Sequence, residues 1–449
     1  MHKVREGRPR KLHRRDWPGF LNRVVPASVW QAFGAQVISS KDPRVRWSAK
    51  YIVLAWMVMG WSLQGQLKER FREACEFLSQ CFARRRRPGE SYQGLTKATG
   101  RVGPDVFHRF WVCLWPTIPQ RLGQAWMWFG WVVMGVDGSR IDAPRTRRNE
   151  KALHRAGRDK THPQWWITWI THLPTNLIWD WRQGPGNSAE RTHLRKMIPS
   201  LPKRVLLVAD AGFGGFDLLW QLSRAGIDFL IRCGGNTTLL VEGAFQQIVR
   251  EGGQLYVYLW PGKRRSRRPL RLRLIVLKRG GKRVYLLTNV LDSTRLSRPM
   301  ASKIYAARWG LETEYRALKQ TMGRRKVLAK TPEPGAMELA GNILALALLV
   351  LLAAIVLATR ITRLSVALAL RVIRHAIEVV RWVGRCHQFR ALLQTAVKDE
   401  YHRHSSKRAR DWPHKKKDSP PTAPRLRRLS RQERDRIERL DGGYAMAFG

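Results

Sequence analysis

Acidic residues are scarce in this 449-residue chain: 33 Asp plus Glu face 83 Lys plus Arg, a formal net charge of +50. That excess is far beyond what solubility requires and points to a polyanion partner. It is spread over residues 5–15, 84–87, 263–273 and 415–439, which favours a long footprint on nucleic acid over a single basic arm. Cysteine is also scarce. The five present have no C-x2-C spacing, which excludes a disulfide framework and a structural zinc centre and fits a reducing cytoplasm. No apolar segment follows the basic N-terminus at signal-peptide distance, so secretion has no support. Long uncharged runs are missing apart from the twenty residues Leu339 to Ala358. That run could cross a bilayer by length, but Gly341 and Asn342 interrupt it and no second comparable span exists. A central helix of a large soluble core passes the same test. A wholly disordered polycation is excluded by the 44% hydrophobic content.

The length allows roughly two to four domains. Residues 1–18 read as a basic arm and 19–122 as a helical, DNA-end-binding region. Within the latter, Ser91–Thr99 and Asp105–Leu114 flank a Gly100–Pro104 break, a pattern that suits a helix-turn-helix or a plain helical bundle. Over residues 123–233 the pattern changes to short apolar runs. Trp131–Val136 ends at Asp137 before Gly138, and Val205–Ala209 ends at Asp210 before Gly212. Each reads as a buried strand delivering a carboxylate at its C-terminal end. Trp165–His172 and Leu177–Trp181 read as an antiparallel pair, Phe216–Arg224 as a helix and Asp228–Cys233 as a strand. Strand-like runs at 237–241, 255–260, 270–277 and 283–290 make residues 234–296 an all-β insertion, with one cationic face from the RLRL alternation. Residues 297–358 hold a helix from Lys303 to Gln320 and then the uncharged run. A basic amphipathic helix is expected over 359–400. The Pro-rich, charged stretch 401–449 is expected to be largely disordered, with a short helix near Arg431 to Leu440.

On a single helix, Tyr305, Arg308, Glu312 and Lys319 fall at offsets of 0, 3, 7 and 14, close to one face. Ordinary surface ion pairs would explain that face as well. The two strand-end aspartates favour more. Asp137 and Asp210 on neighbouring strands, with Glu312 from a helix laid across their edge, would supply hard oxygen ligands suited to Mg²⁺ or Mn²⁺. Two such ions could activate a water or hydroxyl and stabilise the leaving oxygen of a phosphodiester. An Asp before Gly is also a common turn cap, Asp142 and Asp217 are second candidates, and Glu314 points elsewhere on the helix. The run Lys263–Arg273, with Arg264, Arg265, Arg267 and Arg268, is expected to meet phosphate. Trp260 beside it is the candidate for stacking on a base, whereas most of the 20 tryptophans are expected in the core.

The spacing Tyr305-x2-Arg308-x3-Glu312-x6-Lys319 resembles the Y-x2-R-x3-E-x6-K signature of DDE transposases of bacterial insertion sequences, the insertion-sequence-four type. ARWGLETEYRALKQ resembles the context of that signature, VMGVDGSRI the family's first aspartate block and VLLVADAGF its second. KTPEPGAMELAGNILALAL resembles the segment that follows. The resemblance implies an α/β fold: a ribonuclease-H-like catalytic core interrupted by an all-β insertion, with a helical N-terminal region and a basic helical or disordered C-terminal region. It implies that Asp137, Asp210 and Glu312 are catalytic and hold the metals, two Mg²⁺ ions with Mn²⁺ as substitute. Tyr305, Arg308 and Lys319 would engage DNA near the cleaved end, and Leu339 to Ala358 would be a core helix. Two departures stand out: Gly310, a weak helix former inside the signature, and the basic, Trp-rich composition.

The function expected is therefore metal-dependent cleavage and strand transfer on double-stranded DNA, element ends and target, by a homodimer or higher oligomer in the cytoplasm, nucleoid-associated and away from any membrane. Two other classes compete. A non-catalytic DNA-binding protein, such as an inactivated transposase or repressor, would bind DNA with a steep salt dependence and cut nothing. A basic membrane-associated protein would use the uncharged run.

Overall fold

The computed structural model describes residues 19, 21, 24–37, 46–81, 88–154, 162–261, 267–279, 282–383, 386–398 and 422–445. The basic arm 1–18, Arg264, Arg265 and residues 401–421 lie outside them.

Valine-, leucine- and tryptophan-rich segments pair into one ten-stranded sheet. Its strands are β1 (Val132–Asp142), β2 (Gln164–His172), β3 (Leu177–Pro185), β4 (Val205–Ala209), β5 (Asp228–Cys233), β6 (Thr238–Val241), β7 (Gln254–Leu259), β8 (Leu270–Arg279), β9 (Lys282–Thr288) and β10 (Arg425–Arg428). The order across the sheet is β10-β6-β7-β8-β9-β5-β4-β1-β2-β3. β1, β2 and β3 form an antiparallel meander, β4 lies parallel to β1, and β5 lies parallel to β4. Every residue of β4 is buried, as expected for a parallel strand covered on both faces. The strands of residues 234–296 continue this sheet, because β9 pairs antiparallel with β5.

The helices used below are α1 (Ala27–Gln36), α2 (Ala49–Trp61), α3 (Leu67–Cys81), α4 (Tyr92–Val102), α5 (Val106–Leu114), α6 (Glu190–Met197), α7 (Phe216–Arg224), α8 (Arg298–Ala307), α9 (Gly310–Arg316), α10 (Pro332–Leu357), α11 (Val366–Val383) and α12 (Arg431–Ala445). α10 is the helix of the uncharged run. Its most apolar window has a mean hydropathy of 2.7 and is 94% buried, with α2, α5 and β3 packed on it. A helix apolar on all sides is accounted for by burial on all sides. The contact with α2 is close because glycines face it: a β-carbon at Gly60 would lie 2.5 Å from Ala345 Cβ. Trp61 Nε1 also donates to Ala345 O at 2.8 Å.

A buried polar knot ties α2 to the chain preceding α10. Arg324 Nη2 donates to the carbonyls of Met59, Gly60 and Ser62 at 3.2, 3.1 and 2.7 Å. These are the carbonyls that a helix C-terminus leaves without partners. Arg374 Nε on α11 donates to Trp61 O at 2.6 Å. Glu338 accepts from the backbone N–H groups of Leu328 and Ala329 at 2.8 and 3.0 Å and lies 3.7 Å from Arg70 on α3. The tryptophans mostly fill the interior. Trp111 on α5 and Trp115 both donate to Trp179 O, at 2.8 and 3.0 Å.

Three expectations need correction. β1 does not stop at Asp137: its ladder with β2 runs through Gly138 and Ser139 to Asp142, so Asp137 is mid-strand and Gly138 is not a turn. Lys303 to Gln320 is not one helix: α8 ends at Ala307, α9 starts at Gly310, and Ala317–Thr321 forms a π-helical turn. The tail contributes a strand, β10, which adds parallel to β6, while the helix expected near Arg431 to Leu440 is α12.

Candidate catalytic site

The parallel ladder between β1 and β4 runs from Val132–Val205 to Gly135–Val208 and ends there, while β1 continues on β2 alone. Asp137 and Asp210 each follow two residues after that last rung, where the two strands part. Both carboxylates also make the local bond expected of a turn aspartate. Asp137 Oδ1 accepts the Gly138 N–H at 2.9 Å and Asp210 Oδ1 accepts the Gly212 N–H at 2.8 Å. Burial pushes the Asp137 carboxyl up to about 6; the Gly138 N–H and Arg308 oppose this, while Asp210 and Glu312 add to it.

Helix α9 reaches this edge because Tyr315 clamps it to β1. Its hydroxyl donates to Asp137 O at 2.7 Å, and its ring stacks on Trp169 of β2 with centroids 3.9 Å apart and planes at 5°. Gly135 leaves room for the same approach, since a β-carbon there would stand 2.9 Å from Leu311 and 2.6 Å from Leu173. Gly310 also lies against the turn between β2 and β3: a β-carbon there would meet Asn176 Oδ1 at 2.6 Å, a contact that rotation of the Asn176 side chain would relieve.

The other signature residues are half-buried or buried here. Arg308 Nη2 lies 3.9 Å from Glu312 Oε1, and its guanidinium carbon is 5.6 Å from the centre of the Tyr305 ring. Tyr305 is 7% exposed, and its hydroxyl and Arg308 Nε have no hydrogen-bond partner among the described residues. Lys319 Nζ donates to Ser139 Oγ on β1 at 2.7 Å. Burial lowers the Lys319 pKa, against the pull of Asp142. The second candidates fall elsewhere. Asp142 is five residues further along β1, about 16 Å at the rise of a strand, and accepts from Gln164. Asp217 on α7 pairs with Arg267 at 3.1 Å.

The basic run is only partly described. Arg267 and Arg268 are exposed, and Arg267 sits over the Trp220 ring at 5.8 Å. Trp260 is 8% exposed and packs with Leu240, Leu429 and Ile437, its indole N–H donating to Arg267 O at 2.8 Å. Its ring fills a small core where a base could not stack.

One acid at the site escaped the sequence reading. Glu190, the first residue of α6, follows β3, and a β-carbon at Gly138 would stand 2.9 Å from its Cγ. Burial pushes its carboxyl up to about 7, with Asp210 and Asp137 adding to the shift and Arg140 and Arg191 opposing it. In the sequence it is an ordinary first-turn acid of a short helix, with nothing to mark it.

Among the described residues no three His, Cys, Asp or Glu side chains are gathered tightly enough to hold one metal ion. The donor chemistry nevertheless fits a hard divalent cation: Asp137, Asp210 and Glu312 offer only carboxylate oxygens.

Glu314, on the far side of α9 from this edge, is 1% exposed, and both its oxygens lack hydrogen-bond partners among the described residues. Burial pushes its pKa up to about 8 from 4.5. The folded state therefore holds a proton that the unfolded chain releases, so this contribution to stability is full below about pH 4.5 and is lost as pH rises through 8. Denaturant titrations at pH 5 and pH 9 should show a fall of a few kcal/mol. Asp137 and Glu190, also pushed up by burial, share in that fall, so Glu314→Gln should reduce it in part; an undiminished fall in that variant would place the cause elsewhere.

Comparison with known proteins bears on this geometry. The family described as the transposase DDE domain matches residues 132–348. The transposase InsG for insertion sequence element IS4 of Escherichia coli (strain K12) is 24% identical over 309 residues, covering 64% of this chain. The chain spans 65% of the length of that curated relative. A cryo-EM structure of the piggyBac transposase synaptic complex with hairpin DNA aligns over 88% of each chain at 10% identity with a TM-score of 0.40, too weak a likeness to bear on this fold. Residues 132–348 thus match the transposase DDE domain, and the chain is similar to a transposase of the insertion-sequence-four type.

Proposed function

We propose that this chain binds double-stranded DNA at the ends of a mobile element and catalyses its metal-dependent cleavage and strand transfer. The observation that supports this reading is the position of Asp137 and Asp210 just beyond the last rung of the β1–β4 ladder, with Tyr315 holding α9, the helix of Glu312, onto β1. A ribonuclease-H-like core with an inserted β region is supported by the strand order β3-β2-β1-β4-β5 and by β6 to β9, which extend the sheet between Asp210 and Glu312. Asp137, Asp210 and Glu312 would hold two Mg²⁺ ions, with Mn²⁺ as substitute; bound there, the ions would supply charge neutralisation at the scissile phosphate and a more acidic water or hydroxyl. Arg308 and Lys319 put cationic groups beside these acids, suited to phosphate oxygens, and the buried Tyr305 ring supports Arg308 from behind. Arg267 and Arg268, with Arg264 and Arg265 next to them in sequence, supply phosphate contacts. Trp309, 61% exposed beside Arg308, is better placed than Trp260 for stacking on a base.

The free thiols of all five cysteines and the charge of +50 suit a nucleoid-associated protein in a reducing cytoplasm. A homodimer or higher oligomer on DNA would bring two element ends together. The membrane reading loses its support in the burial of α10. The non-catalytic reading is disfavoured by three intact acids on one edge.

A supercoiled plasmid carrying the two element ends separates the remaining alternatives. Cleavage at the ends that requires Mg²⁺ is expected, with binding that weakens steeply as salt rises. Tight, salt-sensitive binding with no cleavage in Mg²⁺ or Mn²⁺ would make the protein a repressor-like binder.

A further inference from the structure

We propose that Glu190 is a fourth carboxylate ligand of the metal site, reaching it from the opposite face of the sheet; this rests on the metal-dependent reading above. Asp137 and Gly138 are consecutive on β1, so positions 137 and 138 face opposite sides of the sheet. The Asp137 side is covered by α9, whose Leu311 abuts Gly135. The Gly138 side is covered by α6. A β-carbon at Gly138 would stand 2.9 Å from Glu190 Cγ and 3.0 Å from its Cδ, and one at Gly212 would stand 3.6 Å from Glu190 Oε2 and 2.9 Å from Asp210 Oδ1. The Glu190 carboxylate therefore lies against the residue after Asp137 and against the turn that carries Asp210. It reaches both because the β1–β4 ladder ends at Gly135–Val208 and because glycine at 138 and 212 leaves the space empty of side chain.

The first turn of α6 is held in this position. Arg191 Nε donates to Gly212 O at 2.7 Å, tying α6 to the turn after Asp210. The two cations nearest Glu190 are otherwise engaged: Arg191 by that carbonyl, and Arg140 by the Trp166 ring at 4.6 Å. Among the described residues Glu190 has no ion pair. An acid used only to favour a helix start gains by pointing along its own first turn. Glu190 instead lies against Gly138 and Gly212, each within two residues of one of the aspartates, where a carboxylate adds oxygen donors for a divalent cation.

Mn²⁺ binding to the full-length protein, followed by electron paramagnetic resonance of the free ion, tests this without reference to turnover. Glu190→Gln is expected to weaken binding of at least one Mn²⁺ by roughly 10–100-fold, the scale on which partners of metal ligands act, while thermal unfolding without divalent ions stays at the wild-type value or above. Glu190→Asp, which keeps the charge and shortens the reach, should fall between the two and serves if the Gln variant folds poorly. Asp210→Asn is the reference. If it loses Mn²⁺ and Glu190→Gln binds as wild type, Glu190 is only a helix-start acid and the proposal is overturned. If neither variant alters binding, the metal-site reading itself fails.

Discussion

Asp210→Asn is expected to reduce Mg²⁺-dependent cleavage of element-end DNA by about a thousandfold or more, the scale of losing one member of a catalytic set that acts as a unit. DNA binding and folding should survive. The side-chain oxygen that accepts the Gly212 N–H at 2.8 Å is present in asparagine too, so the turn after β4 keeps its bond while the charge is removed. The same logic applies to Asp137→Asn, whose side chain, among the described residues, accepts the Gly138 N–H. Glu312→Gln keeps the size of the side chain and loses a contact of only 3.9 Å with Arg308. Because like charges at this edge oppose ionisation of Asp137, each substitution should leave the unfolding midpoint unchanged or slightly raised when divalent ions are removed with a chelator. Loss of cleavage together with a lowered midpoint would mean that these acids hold the fold and do not perform chemistry. Retained cleavage in all three variants would remove them from the mechanism.

Arg324→Met should produce the largest loss of stability. One buried guanidinium satisfies three carbonyls at the end of α2 and adds a positive charge near Glu338, which is itself 1% exposed. Removing it leaves three buried acceptors unpaired and Glu338 short of one cation. Breaking a buried charged network in this way costs about 3–5 kcal/mol. A denaturant titration of the purified variant should show a midpoint well below wild type. Arg324→Lys should recover little of it, because one flexible ammonium does not span three carbonyls as a planar guanidinium does. A wild-type midpoint in Arg324→Met would show that α2 and α10 are held by apolar packing alone.

Much of the sheet was legible because its strands are short apolar runs bounded by glycine, proline and charge. Runs expected at 205–209 and 228–233 correspond to β4 and β5. What misled was local chemistry that pairing overrides. Asp137-Gly138-Ser139 has the composition of a turn, yet β2 lies alongside it and offers a continuous ladder, so the strand goes on. Only the parallel ladder with β4 stops near Asp137, and no single-strand pattern reports where a neighbour ends. The signature helix was misread for a similar reason. Helical periodicity over residues 303–320 has no way to register Asn176, 134 positions before Gly310 (310 − 176 = 134), which lies against the start of α9. Tyr315 and Glu190 were missed because their significance lies in what they touch: the Asp137 carbonyl and Trp169 for one, the two aspartate positions for the other. Residues 422–428 read as tail because four residues of β10, Arg425 to Arg428, contain three arginines. An edge strand exposed to solvent tolerates that composition.

Asp137, Asp210 and Glu312 are proposed to bind divalent metal together at the edge where β1 and β4 part. Anomalous scattering from Mn²⁺ in crystals of the protein bound to element-end DNA measures this directly. An anomalous peak in contact with Asp137 and Asp210, near Glu312 and beside a DNA phosphate, is expected, and it should vanish in Asp210→Asn. Mn²⁺ bound at other side chains, with these three acids making no contact to it while the same preparation cleaves DNA, would rule out this metal site.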